Sequence, residues 1–261
     1  MDPAFLTAAR DSWSQEVIEE IEENVAPFFG IRIDRDQSDA IGYEPSSLYD
    51  TFERYAQLFK QEARYRAFTK VHRQMLQEVE SRLPREENRP SIGFLNNGSN
   101  PSSGEFYALP IREVGTECKQ FRDLGVENAF REWALYGYEG VLETDPEVIV
   151  YSDSFNHILN YMIMEGGAPS FDYETFRDYY VQSLKENSVG QQVTAVQEGN
   201  VYPGGVGQQG PVTNLYNTEI LAQQLYPEQF GEFDPENPFE SPEEHQLFDR
   251  QRAADIINGD F

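Results

Sequence analysis

The side chains best able to do chemistry in this sequence are three histidines, one cysteine and 46 carboxylates. His72, His157 and His245 fall in three different predicted helices. None has a second His, Cys or carboxylate at a spacing that specifies a metal site. No Gly-Lys-Ser/Thr phosphate loop occurs, and no Gly-x-Ser-x-Gly nucleophile elbow. Gly204-Gly205-Val206-Gly207 follows a predicted strand, but the next glycine is Gly210 and Pro211 comes after it, a poor match to a nucleotide cradle. With 46 acidic residues in 261, carboxylate pairs arise by composition alone, and nothing singles out the two a glycosidase needs. Cys118 has no sequence-local partner and reads as a structural thiol. The search returns no catalytic residue, no metal site and no cofactor.

What stands out instead is aromatic side chains beside glycine and proline at predicted strand ends: Phe106-Tyr107, Tyr136-Gly137-Tyr138, and Tyr202 before Pro203-Gly204-Gly205. In an α/β sheet, ligands sit outside the carboxyl ends of the strands. Aromatic rings there offer broad contact area, with phenol hydroxyls as polar handles. A chain with 15 Tyr and 18 Phe would also place some there by abundance. Taken together, the pattern points to binding without chemistry.

The elements that must position these residues follow from periodicity. Residues 14–29 read as a short acidic helix stopped by Pro27. From Leu48 to Leu83 apolar residues recur every three or four positions, the stripe of one helix or of two end to end. Ser46 or Ser47 can cap its start, and Pro84 ends it. Unbroken, it would reach about 54 Å. After Arg89-Pro90, short strands alternate with helices. Strands are predicted at 91–95, 148–151 and 201–202, and helices at 115–124, 139–144, 155–165, 172–185 and 213–225. This alternation predicts an α/β lobe with a mainly parallel sheet. A Pro-, Glu- and Asp-rich segment, 232–242, leads to a last helix at 243–257.

Charge excludes several partners. Lys and Arg total 20 against 46 acids, a net charge of −26, and only four of the 20 are lysines. Such a surface repels nucleic acid and offers no basic patch to anionic lipid. It is instead suited to concentrated salt, where the Debye length falls to about 3 Å and self-repulsion is screened. Hydrophobic residues at 39% and aromatics at 13% supply a core and separate the chain from acidic disordered sequences. The start, Met1-Asp2-Pro3-Ala4-Phe5, has no basic n-region, apolar core or cleavage site, and no window approaches a membrane span.

Three segments carry a family resemblance. Glu139-Gly140-Val141-Leu142-Glu143-Thr144-Asp145-Pro146-Glu147-Val148-Ile149-Val150 resembles the segment of class III ABC-transporter substrate-binding proteins in which a short helix leads through Asp-Pro into a strand. Val196-Gln197-Glu198-Gly199-Asn200-Val201-Tyr202 is similar to that family's Gly, Val-Tyr strand entry. Glu219-Ile220-Leu221-Ala222-Gln223-Gln224-Leu225-Tyr226-Pro227-Glu228-Gln229-Phe230 resembles its closing helix. The ending, from Phe248 to Ile257, together with the acidity, resembles the haloarchaeal branch.

The resemblance implies two α/β lobes joined by a long rigid helix, with no reaction performed. On it, residues 1–45 are the remnant of an N-terminal lobe, 46–84 the spine helix, 85–231 a complete C-terminal lobe, and 232–261 an acidic tail and terminal helix. Because so little precedes the spine, the N-terminal lobe is expected to be truncated. The implied role is the extracytoplasmic binding component of an ABC importer, delivering a ferric siderophore or a corrinoid to a membrane permease. Membrane contact would come only through that permease or a lipid anchor that this chain lacks. Ligand would lie between the lobes against loops 96–107, 133–138, 151–155 and 203–217. The expected contacts are Phe106, Tyr107, Trp133, Tyr136, Tyr138, Tyr151 and Tyr216, and Glu139 matches the position that docks on permease arginines. Some relatives carry an arginine in the loop matching 203–217. Here Gln208 and Gln209 stand instead, which favours a neutral ferric hydroxamate or a corrinoid. The alternative is a cytosolic tetrapyrrole-metal chelatase-like enzyme with paired α/β lobes. It needs a histidine base, for which only His157 is suitably placed.

Overall fold

The computed structural model describes residues 4–5, 15–24, 28–29, 47–111, 118–130, 132–152, 154, 172–205 and 209–261. The chain divides into two compact units, residues 1–45 and 46–261. In the first, strands β1 (Ala4–Phe5) and β2 (Phe28–Phe29) pair in parallel, and helix α1 spans Gln15–Asn24.

The second unit opens with helices α2 (Leu48–Leu58) and α3 (Glu62–Arg82). Ser47 caps α2 in a capping box: its Oγ accepts from the Asp50 N–H, and the Asp50 carboxylate accepts from the Ser47 N–H. The apolar stripe of 48–83 is therefore neither one 54 Å rod nor two helices end to end. The chain reverses at Phe59–Gln61, where Lys60 adopts φ +55°. The Gln61 N–H donates to the Ala56 carbonyl (2.7 Å) and the Lys60 N–H to that of Gln57 (3.2 Å), a Schellman ending with lysine at the position glycine usually takes. α2 then folds back along α3. Tyr49 lies over His72 (ring centroids 4.2 Å), and Phe52 meets Tyr65 and Phe68. The longer arm, α3, is about 32 Å.

The sheet follows. Strands β3 (Ser91–Leu95), β7 (Val148–Tyr151) and β8 (Val201–Pro203) run parallel. Strands β4 (Phe106–Ala108) and β6 (Ala134–Tyr136) extend one edge in antiparallel sense, giving the order β6-β4-β3-β7-β8, and β5 (Glu127–Asn128) pairs with the start of β3. The β3, β7 and β8 predictions match to within a residue.

Alternation assigns the two faces. Ile92, Phe94, Val148 and Val150 join a core with α3, α4 (Lys119–Asp123), α8 (Pro211–Leu225) and α10 (Arg250–Asn258). Leu95, Ile149 and Tyr151 join a second core with α5 (Tyr138–Thr144), α6 (Tyr173–Glu186) and α7 (Thr194–Glu198). Helix α6 runs through Tyr173–Phe176, a π-helical turn Arg177–Gln182, and Ser183–Glu186. Helix α9 (Pro227–Phe230) follows α8. The result is a three-layer α/β/α sandwich, the expected fold class. Residues 232–261 are more than an acidic tail: Leu247, Phe248, Ala253 and Ile256 are all buried in the first core, and the last helix starts at Arg250, not 243. The helix expected at 155–165, with His157, lies outside the described residues, as do residues 115–117 of the helix expected at 115–124.

Candidate functional site

The carboxyl ends of β3, β7 and β8 form one rim of the sheet, the edge at which such folds bind ligands. The loop after β3 is fixed there by hydrogen bonds from three sides. The Tyr107 N–H donates to the buried Ser99 Oγ (3.0 Å), Tyr138 Oη to the Pro101 carbonyl (2.7 Å), and Tyr180 Oη to the Asn97 carbonyl (2.5 Å). After β8 the chain turns against β7, with the Gly204 N–H donating to the Tyr151 carbonyl (2.7 Å). A Cβ on Gly204 would meet Val150 Cγ1 at 2.5 Å, and one on Gly205 would meet Asn217 Oδ1 at 2.1 Å. These glycines serve close backbone packing.

Register separates the predicted aromatic contacts. Phe106 pairs with Tyr136 and Tyr107 with Leu135 across β4 and β6. Phe106 points into the second core, edge-on to Tyr138 at 5.0 Å, and is fully buried. Tyr136 leans on Phe130 at 4.9 Å, half-buried. The opposite face carries Tyr107 with Leu135 (56% exposed), and Trp133 (53% exposed) lies two residues earlier. Together these three form an apolar patch at the sheet edge. Glu139 is exposed in the first turn of α5, next to Tyr138.

Tyr151 is buried, its ring 4.1 Å from Tyr180. Its hydroxyl has no hydrogen-bond partner among the described residues, and burial raises its pKa well above the ordinary tyrosine value. Tyr216 belongs elsewhere: it packs on Phe248 (5.0 Å) and Phe239 (6.1 Å), with the Arg250 guanidinium 4.8 Å from its ring, under the C-terminal segment. The structure thus gathers Phe106, Tyr107, Trp133, Tyr136 and Tyr138 on the antiparallel β4–β6 pair and the helix that follows it, of which Tyr107 and Trp133 lie on the outward face. Leu135 was missed because the selection was of aromatic residues, and Tyr180 because it falls within the helix expected at 172–185 and not in a strand-end loop. Only the strand pairing and the helix packing bring them to the rim.

Behind the rim is a buried polar network. Gln209 Nε2 donates to Gln120 Oε1 (2.7 Å), and Gln209 Oε1 accepts from Asn214 (3.2 Å) and Asn217 (3.1 Å). Gln209 is therefore part of the lobe's interior, while Gln208 lies outside the described residues. Nearby, Lys119 Nζ donates to both Asp123 oxygens, and His72 Nε2 sits 3.8 Å from Asp123 Oδ2, too far for a hydrogen bond. Burial lowers the His72 pKa despite the Asp123 carboxylate, and Lys119 adds to the lowering. Burial would raise Asp123, but His72 and Lys119 more than offset it and hold the carboxyl low. Among the described residues, no three His, Cys, Asp or Glu side chains come together as a metal site, and no helix is long and apolar enough to cross a membrane. What the rim offers is a loop held by hydrogen bonds beside an exposed apolar patch.

A family model described as "Periplasmic binding protein" matches residues 8–205. Solved structures share the fold. A possible iron-binding (periplasmic solute-binding) protein from Staphylococcus epidermidis is 12% identical, with TM-score 0.57, over 86% of this chain and 76% of that one. An ABC-type Fe3+-hydroxamate transport system protein from Saccharomonospora viridis is 16% identical, TM-score 0.55, over 85% and 68%. The periplasmic haem-binding protein BhuT is 15% identical, TM-score 0.56, over 85% and 74%. No curated protein matches the chain.

Proposed function

Because the chain belongs to the periplasmic binding protein family, solute-binding proteins of the extracytoplasmic space and not enzymes, we propose that it captures a ferric hydroxamate for an ABC importer. The observation that carries this reading is the outward face of Tyr107, Leu135 and Trp133 beside a loop already held in place by hydrogen bonds. An apolar surface with few polar handles suits an uncharged chelate wrapped in organic backbone. Residues 203–217 contain no Arg or Lys, so this loop supplies no cation to meet an anionic chelate. The Fe3+-hydroxamate designation of one structural relative supports the same class. A corrinoid is the competing cargo. The chelatase-like alternative is not favoured, since it requires turnover from a family of binding proteins. Glu139, exposed at the rim, is the proposed contact to permease arginines, and a surplus of 26 negative charges supports a concentrated-salt medium.

The test is calorimetric titration in molar KCl with a ferric trihydroxamate and, separately, with cobalamin, using the wild type and Trp133→Ala. Saturable binding of the hydroxamate at micromolar or lower concentration is expected. Trp133 is 53% exposed, so about half of a 150–250 Å² tryptophan surface, roughly 100 Å², is in solvent before ligand arrives. At about 25 cal/mol/Å² that is about 2.5 kcal/mol, so Trp133→Ala should bind up to about 70-fold more weakly. Binding of cobalamin alone would change the cargo, and binding of neither would refute the reading.

A further inference from the structure

Helix α6 carries a group of rings that the aromatic and glycine pattern of the sequence did not select. Tyr180 stacks on Tyr151, the last residue of β7 (4.1 Å, 35°), packs on Phe176 (5.1 Å), and donates its hydroxyl to the Asn97 carbonyl. Tyr179 stands perpendicular to Tyr180 (4.7 Å, 86°) and is 42% exposed. Both belong to the π-helical turn Arg177–Gln182, a distortion that occurs preferentially at functional sites. The loop that Tyr180 holds is the same loop whose other side is tied to β4, through the Asn96 N–H to the Tyr107 carbonyl (2.8 Å) and the Tyr107 N–H to Ser99. The β4–β6 strand pair and the π-turn of α6 therefore flank one loop at the carboxyl rim.

Resting on the ferric hydroxamate reading, we propose that Tyr179 is a second ligand-contacting residue, with Tyr180 as the residue that positions it. A lone exposed tyrosine would mean little. Tyr179 differs in that its ring is braced by a neighbour fixed through its hydroxyl on one side and Tyr151 on the other. A ring held this way binds with little loss of side-chain freedom. The solute it suits is a chelate whose organic backbone presents apolar surface around the metal and reaches over the 96–105 loop, meeting Tyr179 on the second-core side of the sheet and Tyr107, Leu135 and Trp133 on the opposite side.

The experiment compares the wild type, Tyr179→Ala, Tyr179→Phe and Tyr180→Phe by calorimetry with a ferric trihydroxamate, and by thermal melting. Tyr179→Ala should weaken binding about tenfold or more with only a small drop in melting temperature, since Tyr179 is 42% exposed and Tyr180 keeps its own bond to Asn97. Tyr179→Phe keeps the ring and should restore most of the affinity. Tyr180→Phe loses only the bond to Asn97 and should weaken binding by a few-fold. If the wild type binds and Tyr179→Ala binds equally well, the second wall is refuted while the ligand class stands. If Tyr180→Phe binds as the wild type does, its positioning role is refuted. If the wild type does not bind, the hydroxamate reading fails and this inference falls with it.

Discussion

Glu219→Ala should unfasten the C-terminal segment from the lobe. Glu219 is 1% exposed on α8 and is the acceptor at the centre of the junction. Its Oε2 accepts from the Leu247 N–H (2.7 Å), and its Oε1 accepts from Ser241 Oγ (3.0 Å) and from Arg250. Removing one member of a buried ion pair costs about 3–5 kcal/mol, because the other charge is left unpaired. Arg250 is 21% exposed and keeps a bond to the Phe239 carbonyl (2.9 Å), so the lower end applies, about 3 kcal/mol. For a chain of this size that lowers Tm by roughly 6–12 °C. Glu219→Gln retains an oxygen for Leu247 and should cost about 1–2 kcal/mol. Melting followed by circular dichroism at neutral pH reads both. A double-mutant cycle with Arg250→Met should show coupling above about 1 kcal/mol. Titration adds a sign. Burial outweighs Arg250 and the hydrogen bonds, so the Glu219 carboxyl is raised above its ordinary value. The folded state then holds this proton more tightly than the unfolded chain, and the group's contribution falls as pH rises through that window. Glu219→Gln should remove that slope. A Glu219→Ala protein melting within about 2 °C of wild type would refute the reasoning.

Two further outcomes are expected. His72 has a lowered pKa, so the unfolded chain binds its proton more readily than the folded one, and stability should drop as pH falls below the ordinary histidine value. Urea unfolding at pH 7.5 and 5.5 should show a smaller loss in His72→Gln than in wild type. Equal losses would mean that His72 is not the group responsible, although Asp123, Lys119 and Tyr49 share its surroundings. Glu139→Arg, at an exposed helix position, should leave Tm and solute affinity unchanged. It should lower uptake in vesicles holding the cognate permease about tenfold or more by opposing like charges, and unchanged uptake would remove Glu139 from the docking surface.

The parallel core was legible because its signals are local. Val148–Tyr151 is a β-branched run between Asp145-Pro146 and Ser152, and Ser91–Leu95 follows a proline, so composition and punctuation agree. The reversal at Lys60 was not, because the left-handed position carries lysine and the stretch 58–61 has neither Gly nor Pro. The only signal available was that an apolar stripe continuing for 36 residues without a cap is longer than one lobe needs. In residues 232–261 the terminal helix was legible from its apolar residues, while its start at Arg250 and its cover over the first core, through Leu247, Phe248, Ala253 and Ile256, depend on packing distant in sequence.

The site was only half legible, and helix α8 shows why. Asn214, Asn217, Glu219, Gln223 and Gln224 would mark a solvent face in any periodicity argument, yet all five are buried. They are tolerated because each makes a side-chain hydrogen bond: Asn214 and Asn217 share Gln209 Oε1, Glu219 accepts from Leu247 and Ser241, Gln224 Nε2 donates to the Pro203 carbonyl (2.9 Å) and Gln223 Nε2 to Ser241 Oγ (3.0 Å). With its polar residues turned inward and the C-terminal segment laid over it, α8 draws Tyr216 under that cover. The same logic acts on β4, where side chains alternate, so Phe106 and Tyr107 point to opposite sides, Phe106 into the second core. Which of the two turned outward was decided by pairing with β6, through contacts almost thirty residues away in sequence. Composition can place aromatic rings near a rim, but only register and cover decide which of them a solute can reach.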